Sequence, residues 1–360
     1  MAGATLYPAA RLHGFCVAAL QALHVPAPDA VLVADCLVAA NLHGVDTHGM
    51  ARLPTYLRRL AQGAINARAR PRVVREFAAT AVVDGDNALG PVAGHMAMNE
   101  AIERARRHGI GYVAVRASNH FSYAAWYCEQ AAAQGMMGLC SSGGEPTVAP
   151  WGGKRAFFTN SPLAFAAPTG GEPVVVDLAT SVSSRGNILL ADLLGQPIPS
   201  DWALDAEGRP TTEAAAALKG SVLPMGGAKG YALIVALEVL NSVLAGGAMA
   251  PEVGSQAAQD GQPAGVPHCF MAIHPDALMD RDEYIARIDV LCARTRAAPL
   301  ADPAQPIRLP GDRRRQIAAE RAATGIPLPA KLVDELRGAA ERHAPSAACP
   351  DICPFEDRHD

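Results

Sequence analysis

Aromatic residues are scarce in this chain, at 5% of 360, whereas hydrophobic residues make up 50% and charged residues only 18%. A core built mainly from Ala, Val and Leu is therefore expected, and wholesale disorder is excluded. Neither sign of charge is in large excess, the formal net charge being −4. No basic patch with interleaved aromatics occurs, so neither nucleic acid nor a membrane surface is an expected partner. No uninterrupted apolar run reaches the roughly 18 residues of a membrane span. The opening M-A-G-A-T-L-Y-P-A-A-R lacks the basic and then apolar regions of a secretory leader. The expectation is a cytoplasmic protein of a reducing compartment. The eight cysteines (16, 36, 128, 140, 269, 292, 349, 353) lie mostly in apolar periodic segments and read as small buried hydrophobes. Cys349-x₃-Cys353 has a metal-ligand flavour, but two prolines interrupt it, and no metal site is expected.

Several catalytic signatures are missing as well. G-x-G-x-x-G is absent, and G-I-G at 109–111 precedes a strand instead of opening a helix. P-loop, G-x-S-x-G, H-E-x-x-H and C-x-x-C patterns are also lacking, which removes the main support for NTPase, serine-hydrolase and zincin chemistry.

What is present alternates. Residues 8–24 and 28–42 have the periodicity of amphipathic helices. R-P-R-V-V-R-E-F-A-A-T-A-V-V-D-G-D-N reads as strands and turns, and the helix that follows stops at Gly109. A strand over 110–116 leads through S-N-H into a helix over 121–134, then a strand at M-M-G-L-C-S. L-A-F-A-A-P and P-V-V-V-D-L-A are further strands, 229–245 a helix, 246–267 a surface loop and H-C-F-M-A-I-H a last strand. R-D-E-Y-I-A-R-I-D-V-L-C-A-R-T-R and P-A-K-L-V-D-E-L-R-G-A-A-E-R read as terminal helices. The fold class is α/β, with helix-rich segments at both ends.

Polar residues punctuate these elements. His48 and Arg52 are four apart, so a helical turn would place them on one face. An imidazole exchanges protons near neutral pH, and a guanidinium holds a carboxylate through two parallel hydrogen bonds. Together they suit reduction of a 2-oxo acid. The same stretch also fits a solvated helix capped by Thr47, with Arg58 and Arg59 near its C-terminus as surface charge. Ser118-Asn119-His120 stands where a strand gives way to a helix, a place that suits either an anion site or a simple cap. G-G-A-K-G at 226–230 is a close-approach loop or a plain turn. Arg185, at the exit of a buried strand, is a candidate carboxylate ligand, and R-L-P-G-D-R-R-R at 308–315 is a phosphate clamp or a charge run.

Seven segments in order, D-T-H-G-M-A-R-L-P-T-Y, S-N-H-F, P-W-G-G-K-R, T-N-S-P-L-A-F-A-A-P, D-L-A-T-S, L-P-M-G-G-A-K-G-Y and L-P-G-D-R-R, resemble the type 2 malate/L-lactate dehydrogenase family. That family includes sulfolactate, ureidoglycolate and diketogulonate oxidoreductases and the Δ1-piperideine-2-carboxylate/Δ1-pyrroline-2-carboxylate reductases. The resemblance covers residues 8 to 340. It implies a non-Rossmann NAD(P)-binding fold with a mixed sheet, which accounts for the missing glycine fingerprint. It also implies a homodimer with active sites near the subunit interface, a small carboxylate substrate, and NAD(P)H without a choice between NADH and NADPH. By motif match, His48 would be the proton donor, supported by Thr47, and Arg52 would bind the substrate carboxylate with Thr159 and Arg185. The cofactor would be held by His120, Phe121, Ser122, Tyr123 and Ala124, by Asp177, Leu178 and Ala179, by Lys229 and Gly230, and by Pro310, Gly311, Asp312, Arg313 and Arg314. Asn187 stands where the imine-reductase branch carries an aspartate that completes a relay to the histidine. Asparagine can orient an imidazole but not stabilise its cation by charge. F-T-N-S-P replaces the common G-T-N-P, so Phe157 and Phe158 are expected to reshape the pocket wall.

The expected organisation is an N-terminal helical segment, 1–75, packing with C-terminal helices of 300–345 on the substrate side. An α/β cofactor domain would span 76–299, followed by a loose tail over 346–360. The expected activity is hydride transfer from NAD(P)H to C2 of a small 2-oxo acid. Reduction of a cyclic imine is the alternative, and a catalytically inactive cofactor-binding protein of the same fold is the alternative of another class.

Overall fold

The computed structural model describes residues 4–345, so the cysteine pair and the tail over 346–360 lie outside the described residues. The N-terminal part comprises β1 (Ala4–Tyr7), α1 (Ala9–Ala22), α2 (Ala27–Leu42) and α3 (Leu53–Ala61). Then come β2 (Arg72–Phe77), β3 (Thr80–Asp84), α4 (Gly90–His108), β4 (Ile110–Ser118), α5 (Ala124–Ala132) and β5 (Met137–Ser142). The middle of the chain holds β6 (Leu163–Ala167), β7 (Val174–Leu178), α6 (Arg185–Leu193), β8 (Ala203–Leu204), α7 (Ala214–Lys219), β9 (Ser221–Val222) and α8 (Ala228–Glu238). Last are β10 (Val266–Ile273), α9 (Arg281–Arg296), α10 (Asp312–Thr324), β11 (Ile326–Pro329) and α11 (Ala330–His343).

Among the described residues, seven strands form the main sheet in the order β2-β3-β4-β10-β5-β6-β7. Only β3 and β4 pair in parallel; every other pairing in this sheet is antiparallel. A doubly wound dinucleotide fold needs a parallel sheet, so the mixed sheet and the missing glycine fingerprint agree. Alanine fills the contact between this sheet and the helices: Ala93, Ala97, Ala101 and Ala105 of α4 are buried against Val113, Val115 and Phe270. Such small side chains let helix and strand backbones approach closely, and Gly109 ends α4 in the left-handed conformation.

The terminal segments share a second core. Leu12, Phe15 and Leu20 of α1, Leu37 of α2 and Tyr56 of α3 pack with Val333 and Leu336 of α11, and β1 pairs antiparallel with β11. A third, smaller core that periodicity does not reveal gathers Val148, Ile188, Ile198, Val222 and Ile234.

Four local expectations need correction. Residues 121–123 are not helical, and α5 starts at Ala124 with Tyr123 as N-cap and no side-chain cap. Neither Ser118 nor Asn119 caps it: the Asn119 amide instead donates to the Asn87 and Ala88 carbonyls at 3.2 and 2.9 Å. The 229–245 helix is α-helical only to Glu238 and continues as a π turn over Val239–Val243. The basic run at 308–315 opens α10, a helix that the charge pattern concealed. Among the described residues, no helix is long and apolar enough to cross a membrane.

Candidate active site

Strands β4, β5 and β7 end, and β6 and β10 begin, at the same edge of the sheet, where the terminal helical unit leans over it. A cavity of about 390 Å³ opens there, lined from the helical side by Thr47, His48 and Arg52 and from the sheet by residues 120–124 and 177–179. Thr159 and Arg185 also line it.

The segment carrying His48 is not one helix. Asp46–His48 and Met50–Arg52 are separate 3₁₀ turns joined at Gly49, and α3 starts at Leu53. Pro54 occupies the first turn of α3, where its missing N–H costs nothing. A Cβ on Gly49 would lie 2.1 Å from Asn41 Oδ1, so only glycine allows this approach. Asn41 Oδ1 accepts the Met50 N–H at 2.7 Å while its amide donates to Asp46 at 2.7 Å. Arg321 of α10 closes the cluster with a forked pair to the Asp46 carboxylate, at 2.7 and 3.1 Å. The turn is thus fixed from behind by Asn41, Asp46 and Arg321, none of which periodicity singles out.

Thr47 caps nothing. Its hydroxyl lies 2.9 Å from His48 Nδ1, and Arg52 Nε donates to the Thr47 carbonyl at 2.7 Å. Ser122 Oγ donates to the His48 carbonyl at 2.6 Å, tying the turn to the sheet edge. The His120 ring stacks on His48 at 5.6 Å, and His120 Nδ1 is 2.8 Å from the Tyr56 hydroxyl. Burial lowers the His48 pKa to about 3, and the cations of Arg52 and Arg314 push the same way. Burial, then Arg52, His48 and His268, also hold His120 well below the ordinary histidine range. Both imidazoles are therefore neutral at pH 7. Tyr56 is one helical turn beyond Arg52, and that spacing was the one signal that could have exposed it.

The two sheet-side segments meet through Arg314. Its guanidinium pairs with the Asp177 carboxylate at 3.0 Å, donates to the Asp177 carbonyl at 2.9 Å and lies 5.7 Å from the centre of the Tyr123 ring. Burial raises the Asp177 pKa, and Arg314 opposes that shift. Others of the expected residues stand apart. Asp312 is engaged by Arg296 at 3.1 Å and by the Leu309 N–H at 2.9 Å, and Arg313, Pro310 and Lys229 are exposed. None of these, nor Gly311 or the buried Gly230, lines the cavity. Asn187 also turns away: its amide donates to Ser183 Oγ at 3.3 Å instead of reaching His48. Phe157 and Phe158 do not form the pocket wall either, since they pack edge-to-face on each other and Phe158 contacts Tyr231. Arg58 and Arg59 are not both surface charge, because Arg59 is 1% exposed.

A mixed, mostly antiparallel sheet, with the His48 imidazole and the Arg52 guanidinium held over its strand ends and an Arg314–Asp177 pair beside them, defines an α/β fold outside the Rossmann class. The chain belongs to the malate/L-lactate dehydrogenase family, whose sequence pattern matches residues 7–337. It is 38% identical over 321 residues to an L-sulfolactate dehydrogenase of Methanothermobacter thermautotrophicus, covering 89% of this chain and 92% of the relative. To a (2R)-3-sulfolactate dehydrogenase (NADP(+)) of Chromohalobacter salexigens it is 38% identical, covering 90% and 95%. The fold matches the solved sulfolactate dehydrogenase of Methanocaldococcus jannaschii with a TM-score of 0.89 at 34% identity, covering 94% of this chain and 97% of that one. It also matches a Δ1-piperideine-2-carboxylate reductase of Pseudomonas syringae with a TM-score of 0.84 at 30% identity, covering 93% and 99%.

Proposed function

We propose that this protein is an NAD(P)-dependent dehydrogenase that interconverts a small 2-hydroxy acid and the corresponding 2-oxo acid, as a homodimer. One observation carries the reading: Thr47, His48 and Arg52 meet in a single cavity, with the Thr47 hydroxyl on His48 Nδ1. Arg52 binds the substrate carboxylate through its guanidinium, with Thr159 and Arg185 in the same wall. The Thr47 hydroxyl engages Nδ1 and leaves His48 Nε2 for the substrate oxygen. Neutral His48 accepts the 2-hydroxyl proton during oxidation, and its imidazolium returns that proton during reduction. A carboxylate on Arg52 cancels one of the two cations that depress the His48 pKa, so substrate binding favours the protonated form.

The residues present fit a nicotinamide cofactor. The buried Tyr123 hydroxyl takes a hydrogen bond from the Arg314 guanidinium, and residues 120–124 and 177–179 line one side of the cavity. A polar ligand along this side would meet the Tyr123–Arg314 pair, with the guanidinium within reach of its charge. The bound cofactor supplies or receives the hydride at C2. Lys229, Gly230 and residues 310–313 would serve only its outer reaches. Asn187 has no part in this proton path, because its amide is held by Ser183.

The test is an NADH and NADPH oxidation panel with pyruvate, oxaloacetate, sulfopyruvate, Δ1-piperideine-2-carboxylate and Δ1-pyrroline-2-carboxylate. Turnover of at least one oxo acid is expected, with His48→Ala lowering kcat by roughly 100-fold or more. Arg52→Lys should raise KM strongly, since an ammonium cannot replace the bidentate fork. Turnover confined to the cyclic imines would move the enzyme to the imine-reductase branch. Cofactor protection against thermal unfolding with no turnover above His48→Ala would instead make it a binding protein.

A further inference from the structure

The second half of D-T-H-G-M-A-R-L-P-T-Y-L-R-R-L does something other than solvate a helix. Arg58 and Arg59 face the segment 255–262, and their guanidinium groups donate to its backbone carbonyls. Arg58 reaches the Gln256, Ala257 and Ala258 carbonyls at 2.7, 3.3 and 2.9 Å. Arg59 reaches those of Ser255 and Gln262 at 3.4 and 3.0 Å. A guanidinium has five donors in a rigid fork, so two adjacent arginines can define the path of a loop that lacks regular structure. From the other side the Glu145 carboxylate accepts the Gln256 N–H at 3.3 Å. The loop is clamped on both flanks, and Gln256, at its clamped point, lines the cavity that holds His48 and Arg52.

Among the described residues, two cavity-lining side chains have a buried polar atom without a hydrogen-bond partner: Thr147 Oγ1 and Gln256 Oε1. Buried polar atoms in folded proteins are almost always paired. Leaving such an atom unpaired is costly, so a ligand that supplies the partner gains that difference.

We propose that Gln256 and Thr147 form a subsite for the substituent beyond C2 of the substrate, and that this subsite selects an uncharged hydrogen-bonding group over a methyl. Arg58 and Arg59 are its positioning residues. The proposal rests on the dehydrogenase reading and adds the substrate's tail to it. A hydroxyl both donates and accepts, so it can pair with the amide and with the threonine hydroxyl whichever end of the amide faces it. A methyl leaves both unpaired. A second carboxylate brings only acceptors to a wall that already holds the Glu145 carboxylate.

The experiment compares kcat/KM for pyruvate, hydroxypyruvate and oxaloacetate in the wild type, Gln256→Leu, Thr147→Val and Arg59→Lys. The wild type should prefer hydroxypyruvate to pyruvate by roughly tenfold or more, because a site built to bond a hydroxyl rejects the analogue lacking it. Gln256→Leu and Thr147→Val should each shrink that ratio, chiefly through KM for hydroxypyruvate. Arg59→Lys should shrink it partially, and combining it with Gln256→Leu should add little. Gln256 sits on a surface loop, so its variant stays informative if Arg59→Lys fails to fold. Pyruvate turnover with no preference for hydroxypyruvate, or a preference that Gln256→Leu leaves intact, overturns the subsite and leaves the dehydrogenase reading standing. Absence of turnover on every acid relative to His48→Ala overturns both.

Discussion

Two neutral imidazoles stacked 5.6 Å apart, His48 and His120, set the residue-scale chemistry. A pKa held near 3 means that the folded protein binds the His48 proton weakly, so before substrate arrives the ring is unprotonated across the physiological range. Oxidation of a 2-hydroxy acid uses that neutral form, and kcat/KM reports groups in the enzyme before substrate binds. For oxidation, kcat/KM should therefore show no His48 inflection between about pH 5 and 8. Reduction draws on the protonated fraction, which falls about tenfold per pH unit above the pKa, and its kcat/KM should fall with that slope. Initial rates in both directions over this range decide the matter. A reduction profile that stays flat while oxidation falls in acid would show that the proton comes from elsewhere. His48 and Arg52 were singled out in the sequence by the resemblance of their motif, since their spacing alone fits a solvated helix as well. The depressed pKa was not, because it depends on burial and on Arg314, which lies 266 positions further along the chain.

At the scale of elements, α10 links both halves of the site. Arg314 and Arg321 are seven residues apart, two helical turns on one face, and they reach Asp177 and Asp46 respectively. One helix thereby holds a strand end of the sheet and the turn that carries His48. Asp46→Ala and Arg321→Ala should each lower kcat/KM by about tenfold by loosening that turn. The double variant should be little worse than either single one, since both remove the same contact. A double-variant loss equal to the product of the single losses would show that the pair does not act as a unit. Much of the element plan was readable: α1, α2, α4 and the strands of the main sheet follow from apolar periodicity and glycine stops. α10 was concealed because Asp312-Arg-Arg-Arg has too little apolar content for a periodicity to register. The Arg58–Gln256 contact spans 198 residues and joins a side chain to a backbone carbonyl. Neither composition nor spacing encodes a pairing of that kind, so two adjacent arginines read as surface charge.

At the scale of the whole molecule, the apolar surface left uncovered bears on the proposed homodimer. Leu189, Leu190, Leu193 and Leu194 are 48%, 55%, 72% and 59% exposed. Their spacing along α6 and its C-cap puts them on one broad helical face. The N-terminal end of the same helix supplies Arg185 and Gly186 to the cavity wall, so the apolar face adjoins the site. Val290 and Leu291 of α9 add a second exposed apolar area, at 47% and 64%. Contiguous apolar surface of this kind on a folded chain marks an interaction site, and a second copy of this chain would place α6 and the adjoining cavity wall at a subunit boundary. Light scattering on the purified protein should give twice the monomer mass. Leu193→Glu, which puts a charge where the partner would desolvate it, should shift the protein toward monomer. If α6 is part of that boundary, the same variant should also reduce kcat, because Arg185 and Gly186 lose their support. A monomeric wild type would remove the dimer. A dimer that Leu193→Glu leaves intact, with unchanged kcat, would place the interface away from α6.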